Sequence, residues 1–288
     1  MTRLARHQAG FALILTISLV VGWRPLVDTF ALSLGNDEYT QILLILPISA
    51  ALIFLERRSI RTAVTTNVRM GAAFFVIAAL VACSTFGWPT ILSSDEQLSV
   101  RMLALVLSWI GAFVFCFGSR ASRLLLFPLC FLLCAVPLPN LALNSAIALL
   151  QIGSAWTAHV LFAVCGIPVA QEGVSLSIPG LTLQVAQECS SIRSSLMLLV
   201  TTMVLAQLLL RSPWHRVLSI GLALPLSVAK NGLRIFTIAM LGTRVDPAFL
   251  TGKLHRQGGI IFFGIAVGVI LAMIWILRRR EDLALESL

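Results

Sequence analysis

The feature that most constrains this chain is the recurrence of long apolar runs from end to end. They lie at 9–21, 42–55, 70–86, 100–117, 124–136, 144–162, 196–210, 217–241 and 260–277, each closed by a short cluster of charge, glycine or proline. A helix of about 20 apolar residues crosses the roughly 30 Å hydrocarbon layer of a bilayer. In that layer the backbone must satisfy its own hydrogen bonds, so such runs fold as helices. With 58% hydrophobic and 11% charged residues, little material remains for a separate soluble domain. The reading is an all-α polytopic membrane protein, a single transmembrane domain over 1–288. The net charge of +9 comes without a basic helix or aromatic-basic interleaving, which excludes a nucleic-acid partner. Lysines and arginines lining one membrane face account for it.

The punctuation orders the spans. Arg3 and Arg6 precede 9–21 as in a signal peptide, but Gly22-Trp23-Arg24-Pro25 follows instead of a small-residue cleavage site, so this run is a retained first span. Asn36-Asp37-Glu38-Tyr39 leads into 42–55, which stops at Glu56-Arg57-Arg58. The next runs end at Gly87-Trp88-Pro89, Gly118-Ser119-Arg120 and Pro137-Leu138-Pro139-Asn140. Within 144–162, Asn144, Ala148, Gln151, Ala155 and Ala158 recur at helical spacing as a small or polar stripe, flanked by Ser154 and His159. That pattern predicts an amphipathic helix at the interface or in a cleft. With it set aside, the chain has about eight transmembrane helices. Thirteen of the 21 basic residues then lie inside (Arg3, Arg6, Arg57, Arg58, Arg61, Arg69, Arg120, Arg123, Arg211, Arg216 and Arg278 to Arg280), and eight of the 12 acidic residues lie outside. The positive-inside rule selects this even count, with both termini cytoplasmic. Between the stripe and the run at 196–210, Val174, Leu176 and Ile178 alternate with polar residues, Pro179-Gly180 marks a turn, and Leu181, Leu183 and Val185 alternate again. This predicts a short β-hairpin on the outer face.

Three polar anomalies carry chemistry. Gln187-Glu188-Cys189-Ser190-Ser191-Ile192-Arg193 precedes the run at 196–210. A cysteine at a helix opening feels the positive end of the helix dipole, and Arg193 adds a full charge, both favouring thiolate. The plain alternatives are a small hydrophobe or a Cys165–Cys189 disulfide. Cys83, Cys116, Cys130 and Cys134 sit inside apolar runs as core residues, and no histidine or carboxylate accompanies them to make a metal site. Lys230-Asn231-Gly232-Leu233-Arg234 interrupts the run at 217–241, with Lys230 and Arg234 four apart on one face and Arg234 about 26 Å from the inner end. An arginine there either snorkels or meets an anion or a developing oxyanion. His255, in Leu254-His255-Arg256-Gln257-Gly258-Gly259, precedes the last run, also outward. Imidazole suits a proton-transfer partner for a thiol. His159 is its competitor, whereas His7 and His215 fall on the inner side.

The order and contexts of these residues resemble the exosortase and archaeosortase family of membrane cysteine transpeptidases. The likeness rests on Glu188-Cys189-Ser190-Ser191-Ile192-Arg193-Ser194, Asn231-Gly232-Leu233-Arg234-Ile235 and Leu254-His255-Arg256-Gln257-Gly258, and extends to Pro137-Leu138-Pro139 and Asn36 to Tyr39. It is sharpest over about 127–264, the expected catalytic part. Ser191 stands where the family has glycine, and Thr40-Gln41 where many members carry Ser-His, so the subgroup stays open.

The resemblance implies catalytic Cys189, Arg234 and His255, with Arg193, Asn231, Lys230 and Glu188 as supporting or substrate-binding residues. It implies no metal and no cofactor. The partners it implies are exported proteins with C-terminal sorting signals, made of a Pro-Glu-Pro-type motif, an apolar span and a basic tail. The acceptor is undefined, with a lipid or polysaccharide precursor as candidates, and membrane lipids surround the enzyme. The implied location is the bacterial cytoplasmic (inner) membrane with the active site facing outward. Whether Arg193 holds the thiol ionised or binds an acidic residue of the sorting motif stays open, as does hydrolysis against transpeptidation. The non-enzymatic alternative is a transporter or scaffold that binds an anionic lipid or polysaccharide precursor through Lys230 and Arg234.

Overall fold

A computed structural model of the chain describes residues 3–87, 93–184, 192–251 and 259–286. The protein is an all-α polytopic membrane protein with one small antiparallel sheet. Among the described residues, six helices are long and apolar enough to cross a membrane, or seven when a bent pair counts as one span. Two of the expected spans fall outside that set. Leu126–Ala135 is too short alone, and Pro213–Arg244 is interrupted by Lys230, Asn231 and Arg234. Conversely, Asn140–Val164, expected to lie at the interface or in a cleft, is itself long and apolar enough to cross. The chain divides into two compact units, Met1–Ala142 and Leu143–Leu288.

In the first unit, α1 (Arg3–Val21) and α2 (Trp23–Gly35) meet at a 70° bend centred on Gly22, where the first apolar run was expected to stop. After a 3₁₀ turn at Asp37–Tyr39 come α3 (Ile42–Leu55), α4 (Arg57–Ala63), α5 (Val68–Gly87) and α6 (Ser94–Leu124). A capping box starts α6. The Glu96 amide donates to Ser93 Oγ at 3.3 Å and the Ser93 amide donates to Glu96 Oε2 at 2.9 Å, which satisfies two N–H groups that a helix start leaves unpaired.

Small residues let α5 and α6 pack backbone to backbone. A Cβ on Gly71 would overlap Phe115, and one on Gly111 would stand 2.9 Å from Phe74 Cβ. Phe11 of α1 completes the core with an edge on Phe113 and Phe117. Gly118, the expected end of a span, is instead a kink that α6 passes through, with φ 81° and ψ 173°. Only glycine adopts that conformation readily, and here a Cβ would also overlap the Thr65 carbonyl. Beyond α6, α7 (Leu126–Phe131) and a 3₁₀ turn at Leu132–Ala135 lead to Pro137-Leu138-Pro139. The Tyr39 hydroxyl donates to the Leu138 carbonyl at 3.1 Å, joining two motif segments that lie 99 residues apart.

The second unit holds most of α8 (Asn140–Val164), then β1 (Ala170–Glu172), β2 (Ser175–Ile178) and β3 (Leu181–Gln184). The expected hairpin is β2–β3, with Leu176 opposite Leu183 and Gly180 at φ 83° in the turn; β1 adds a third antiparallel strand. Among the described residues four helices follow: α9 (Ile192–Leu209), α10 (Pro213–Arg244), the short α11 (Ala248–Thr251) and α12 (Gly259–Glu286). Leu198, Ala206, Ala223, Ala266, Ile270 and Ile274 form the core among α9, α10 and α12. A second core joins Ala155, Ala158 and Phe162 of α8 to Leu176 and Ile178 of the sheet and Ala239 of α10. The stripe on α8 therefore divides. Ala155 and Ala158 are buried while Asn144 and Ala148 are exposed, and the outward side carries Leu149, Ile152, Trp156, Val160 and Val164. The small residues serve close packing.

At the other end of this unit, Glu281 of α12 clamps the α9–α10 connection. Its carboxylate accepts from the Arg211 amide at 2.8 Å and the Ser212 amide at 2.9 Å, and its Oε1 lies 2.7 Å from His215 Nδ1. Arg216 donates to the Leu210 carbonyl and to Gln207 Oε1 beside it. His215 is thus part of a structural latch, in keeping with its exclusion from the candidate site.

Candidate active site

Along α10, Ser227, Lys230, Asn231 and Arg234 recur at helical spacing, which gathers them on one face. Each is met by another element. Ser227 donates to Ser195 Oγ of α9 at 2.5 Å, Lys230 Nζ donates to Ser194 Oγ of α9, and Asn231 Nδ2 donates to Ser154 Oγ of α8 at 3.0 Å. Gly232 and Gly153 bring α8 close enough for this. A Cβ on Gly232 would overlap Thr157 and stand 3.0 Å from the Ser154 carbonyl, and one on Gly153 would stand 2.9 Å from Val228 Cγ1.

Lys230 and Asn231 are 6% and 1% exposed. A lysine at the centre of a membrane helix costs on the order of 2.5–3.5 kcal/mol, while an interhelical hydrogen bond returns about 0.6 kcal/mol on average. Among the described residues no carboxylate pairs with Lys230. Its burial is therefore an energetic cost that no counter-ion among the described residues offsets. One turn further on, Arg234 is half-buried and reaches the start of α12, where a Cβ on Gly259 would stand 3.9 Å from its Nη1.

Of the residues singled out in the sequence, Lys230, Asn231 and Arg234 are thus gathered on α10, and Arg193 stands exposed in the first turn of α9. Glu188, Cys189 and His255 lie outside the described residues. The described chain resumes three positions after Cys189, at Ile192 of α9, and four positions after His255, at Gly259 of α12. The first turn of α9 and the first residue of α12 both meet the Lys230–Arg234 face of α10.

Cys165, the other half of the disulfide alternative, is an exposed free thiol. His159, the competing histidine, has a buried Nδ1 with no hydrogen-bond partner among the described residues. The hydroxyls of Ser194, Ser195 and Ser227 were missed as site components. Their signal in the sequence was the placing of Ser227 one turn before Lys230, and of two adjacent serines directly after Arg193.

The sequence matches the family model described as transmembrane exosortase over residues 31–272, most of the chain. No curated protein and no solved structure matches it.

Proposed function

Because the chain belongs to the transmembrane exosortase family, we propose that it is a cysteine transpeptidase that removes the C-terminal sorting signal of exported proteins and passes them to an acceptor through a thioester. The observation that carries this reading within the molecule is the convergence on one face of α10. Lys230 holds Ser194, five residues after Cys189, and the Arg234 guanidinium lies beside Gly259, four residues after His255.

In this mechanism the Cys189 thiolate attacks the carbonyl carbon of the scissile peptide, and the carbonyl π pair moves onto oxygen. Arg234 stabilises that oxyanion, an interaction strengthened where water is scarce. Collapse of the tetrahedral species expels the tail as an amine. His255, having taken the thiol proton, gives it to that amine and leaves the thioester on Cys189. The acceptor nucleophile then loses its proton to His255 and attacks the thioester, restoring the thiol. Asn231 fixes α8 against α10, and Arg193 at the start of α9 faces the incoming sorting signal or the thiolate.

The substrate is an exported protein bearing a Pro-Glu-Pro-type motif, an apolar span and a basic tail. The enzyme sits in the bacterial cytoplasmic membrane with both termini inside and its site outward. The charged ends fit that orientation: Arg57 lies over the Phe54 ring at 3.9 Å and Arg279 over Trp275 at 4.0 Å, both where apolar runs stop.

The test is processing, in membranes, of a reporter ending in such a signal. The wild-type chain shortens the reporter, whereas Cys189→Ala and His255→Ala accumulate it uncut. Full processing by Cys189→Ala would refute the enzyme reading and leave the alternative, an anionic lipid or polysaccharide precursor held by Lys230 and Arg234. Alkaline-phosphatase fusions after Gln171 and Asp246 are expected to be active; a silent fusion at either point overturns the orientation.

A further inference from the structure

Ser194 is the residue that the function described above does not use. It lies in the first turn of α9, half-buried, and accepts from Lys230 across the helix interface, 36 residues away in sequence. The next residue, Ser195, accepts from Ser227 one turn earlier on α10. Two adjacent hydroxyls of α9 are therefore bound by two successive turns of α10, a two-point contact that fixes both the rotation and the axial register of the first turn of α9. A single interhelical bond would leave rotation about itself open. Between this point and Gln207, whose Oε1 accepts from Arg216 at the far end, α9 is held by apolar contacts such as Leu198 and Ala206 against α12 and Ala223. Such contacts are non-directional and tolerate small rotations. The polar pair sets the rotation and register of the N-terminal turn of α9.

Lys230 is an expensive way to make one of these two bonds. A serine or asparagine would suffice for adhesion, as Ser227 and Asn231 show on the same face. What the long lysine stem adds is reach from the α10 backbone to a hydroxyl in the first turn of α9, while Arg234 at the next turn keeps its guanidinium toward Gly259. A one-ångström displacement of a reacting group is enough to cost a large factor in rate.

We infer that Ser194 and Lys230 are positioning residues that act as one unit, fixing the first turn of α9 so that the nucleophile three residues before Ile192 is presented to a carbonyl held at Arg234. This rests on the reading of Cys189 as the nucleophile. It assigns Ser194 a role in turnover rather than in substrate affinity.

The experiment uses the full-length protein in native membranes and a reporter ending in a Pro-Glu-Pro motif, an apolar span and a basic tail. Rates are measured over reporter concentration for Ser194→Ala, Ser194→Thr, Lys230→Met, the Ser194→Ala/Lys230→Met double variant and Cys189→Ala. Ser194→Ala and Lys230→Met are each expected to lower kcat tenfold or more with KM within about twofold. The double variant is expected to be no slower than the worse single one, because each change breaks the same unit. Ser194→Thr keeps the accepting hydroxyl and is expected to retain activity within about threefold. Thermal unfolding midpoints accompany each variant.

Losses that multiply in the double variant, a Ser194→Ala enzyme of wild-type kcat, or losses confined to KM would each overturn the inference. If Lys230→Met does not fold, the contrast between Ser194→Ala and Ser194→Thr decides alone, equal rates overturning it. Wild-type processing by Cys189→Ala would instead refute the underlying enzyme reading. An inactive Cys189→Ala beside a fully active Ser194→Ala would refute this inference only.

Discussion

Gly232→Ala sets two effects of opposite sign against each other. In an exposed helix interior, alanine is favoured over glycine by about 1 kcal/mol. At position 232 the new methyl would overlap Thr157 Cβ, which belongs to the rigid base of a side chain, and would lie 3.0 Å from the Ser154 backbone carbonyl. Neither atom can swing away, so α8 must move outward. Overpacking of this kind costs typically 1–3 kcal/mol. The same shift lengthens the Asn231–Ser154 hydrogen bond, 3.0 Å in the native fold, which in a membrane is worth about 0.6 and at most about 1.7 kcal/mol. Set against the propensity gain, the net is a destabilisation of about 1–3 kcal/mol.

Gly268→Ala in α12 is the control, since a Cβ there meets nothing within 4 Å. It is expected to be neutral or up to about 1 kcal/mol stabilising. The assay is SDS-titrated unfolding of the detergent-solubilised protein followed by circular dichroism, with reporter processing measured in parallel. Equal stability of the two variants would refute the argument that α8 is seated on α10 through Gly232.

Arg234→Gln is expected to lower kcat by about 10² to 10³, the usual loss when one oxyanion donor goes, with Arg234→Lys falling between it and wild type because the charge remains and the fork does not; processing rates at saturating reporter check this. Gly118→Ala forces a side chain into a glycine-only conformation, on the order of 1–3 kcal/mol, and weakens the 3.1 Å bond from the Thr65 amide to the Phe117 carbonyl. A loss of about 2–4 kcal/mol in the same unfolding assay is expected. Glu281→Ala strips the acceptor from two backbone amides and His215, with an expected loss of about 2–4 kcal/mol and reporter KM unchanged, because the latch lies at the far end of α9 from Ile192.

Much of this architecture was legible because hydropathy and punctuation are local. The runs at 42–55 and 70–86 became α3 and α5 nearly residue for residue, while α9 begins four residues before the run at 196–210 and α12 extends nine residues beyond that at 260–277. Pro179-Gly180 turned β2 into β3 because the glycine supplies the positive φ the turn needs. Strand β1 escaped notice, since Ala170–Glu172 is too short to show alternation. The stripe on α8 was visible but admits two meanings, since small residues mark either a wet face or a tightly packed one. Exposure of Leu149, Ile152 and Trp156 on the opposite side separates them. Pairings such as Tyr39 with Leu138 or Lys230 with Ser194 link residues far apart in sequence and leave no periodic trace. At the candidate site, Lys230, Asn231 and Arg234 stood out because charge inside an apolar run is costly. Ser194 did not, because a serine at a helix start is cheap and common.

A covalent thioester at Cys189 is the most direct mark of this mechanism, and mass spectrometry of acid-quenched membranes can detect it. With the wild-type chain and a cleavable reporter, the peptide containing Cys189 should gain the mass of the reporter fragment upstream of the cut, and hydroxylamine should remove it. Turnover of the reporter with no adduct on that peptide, or with the adduct on Cys165 or another cysteine, would contradict it.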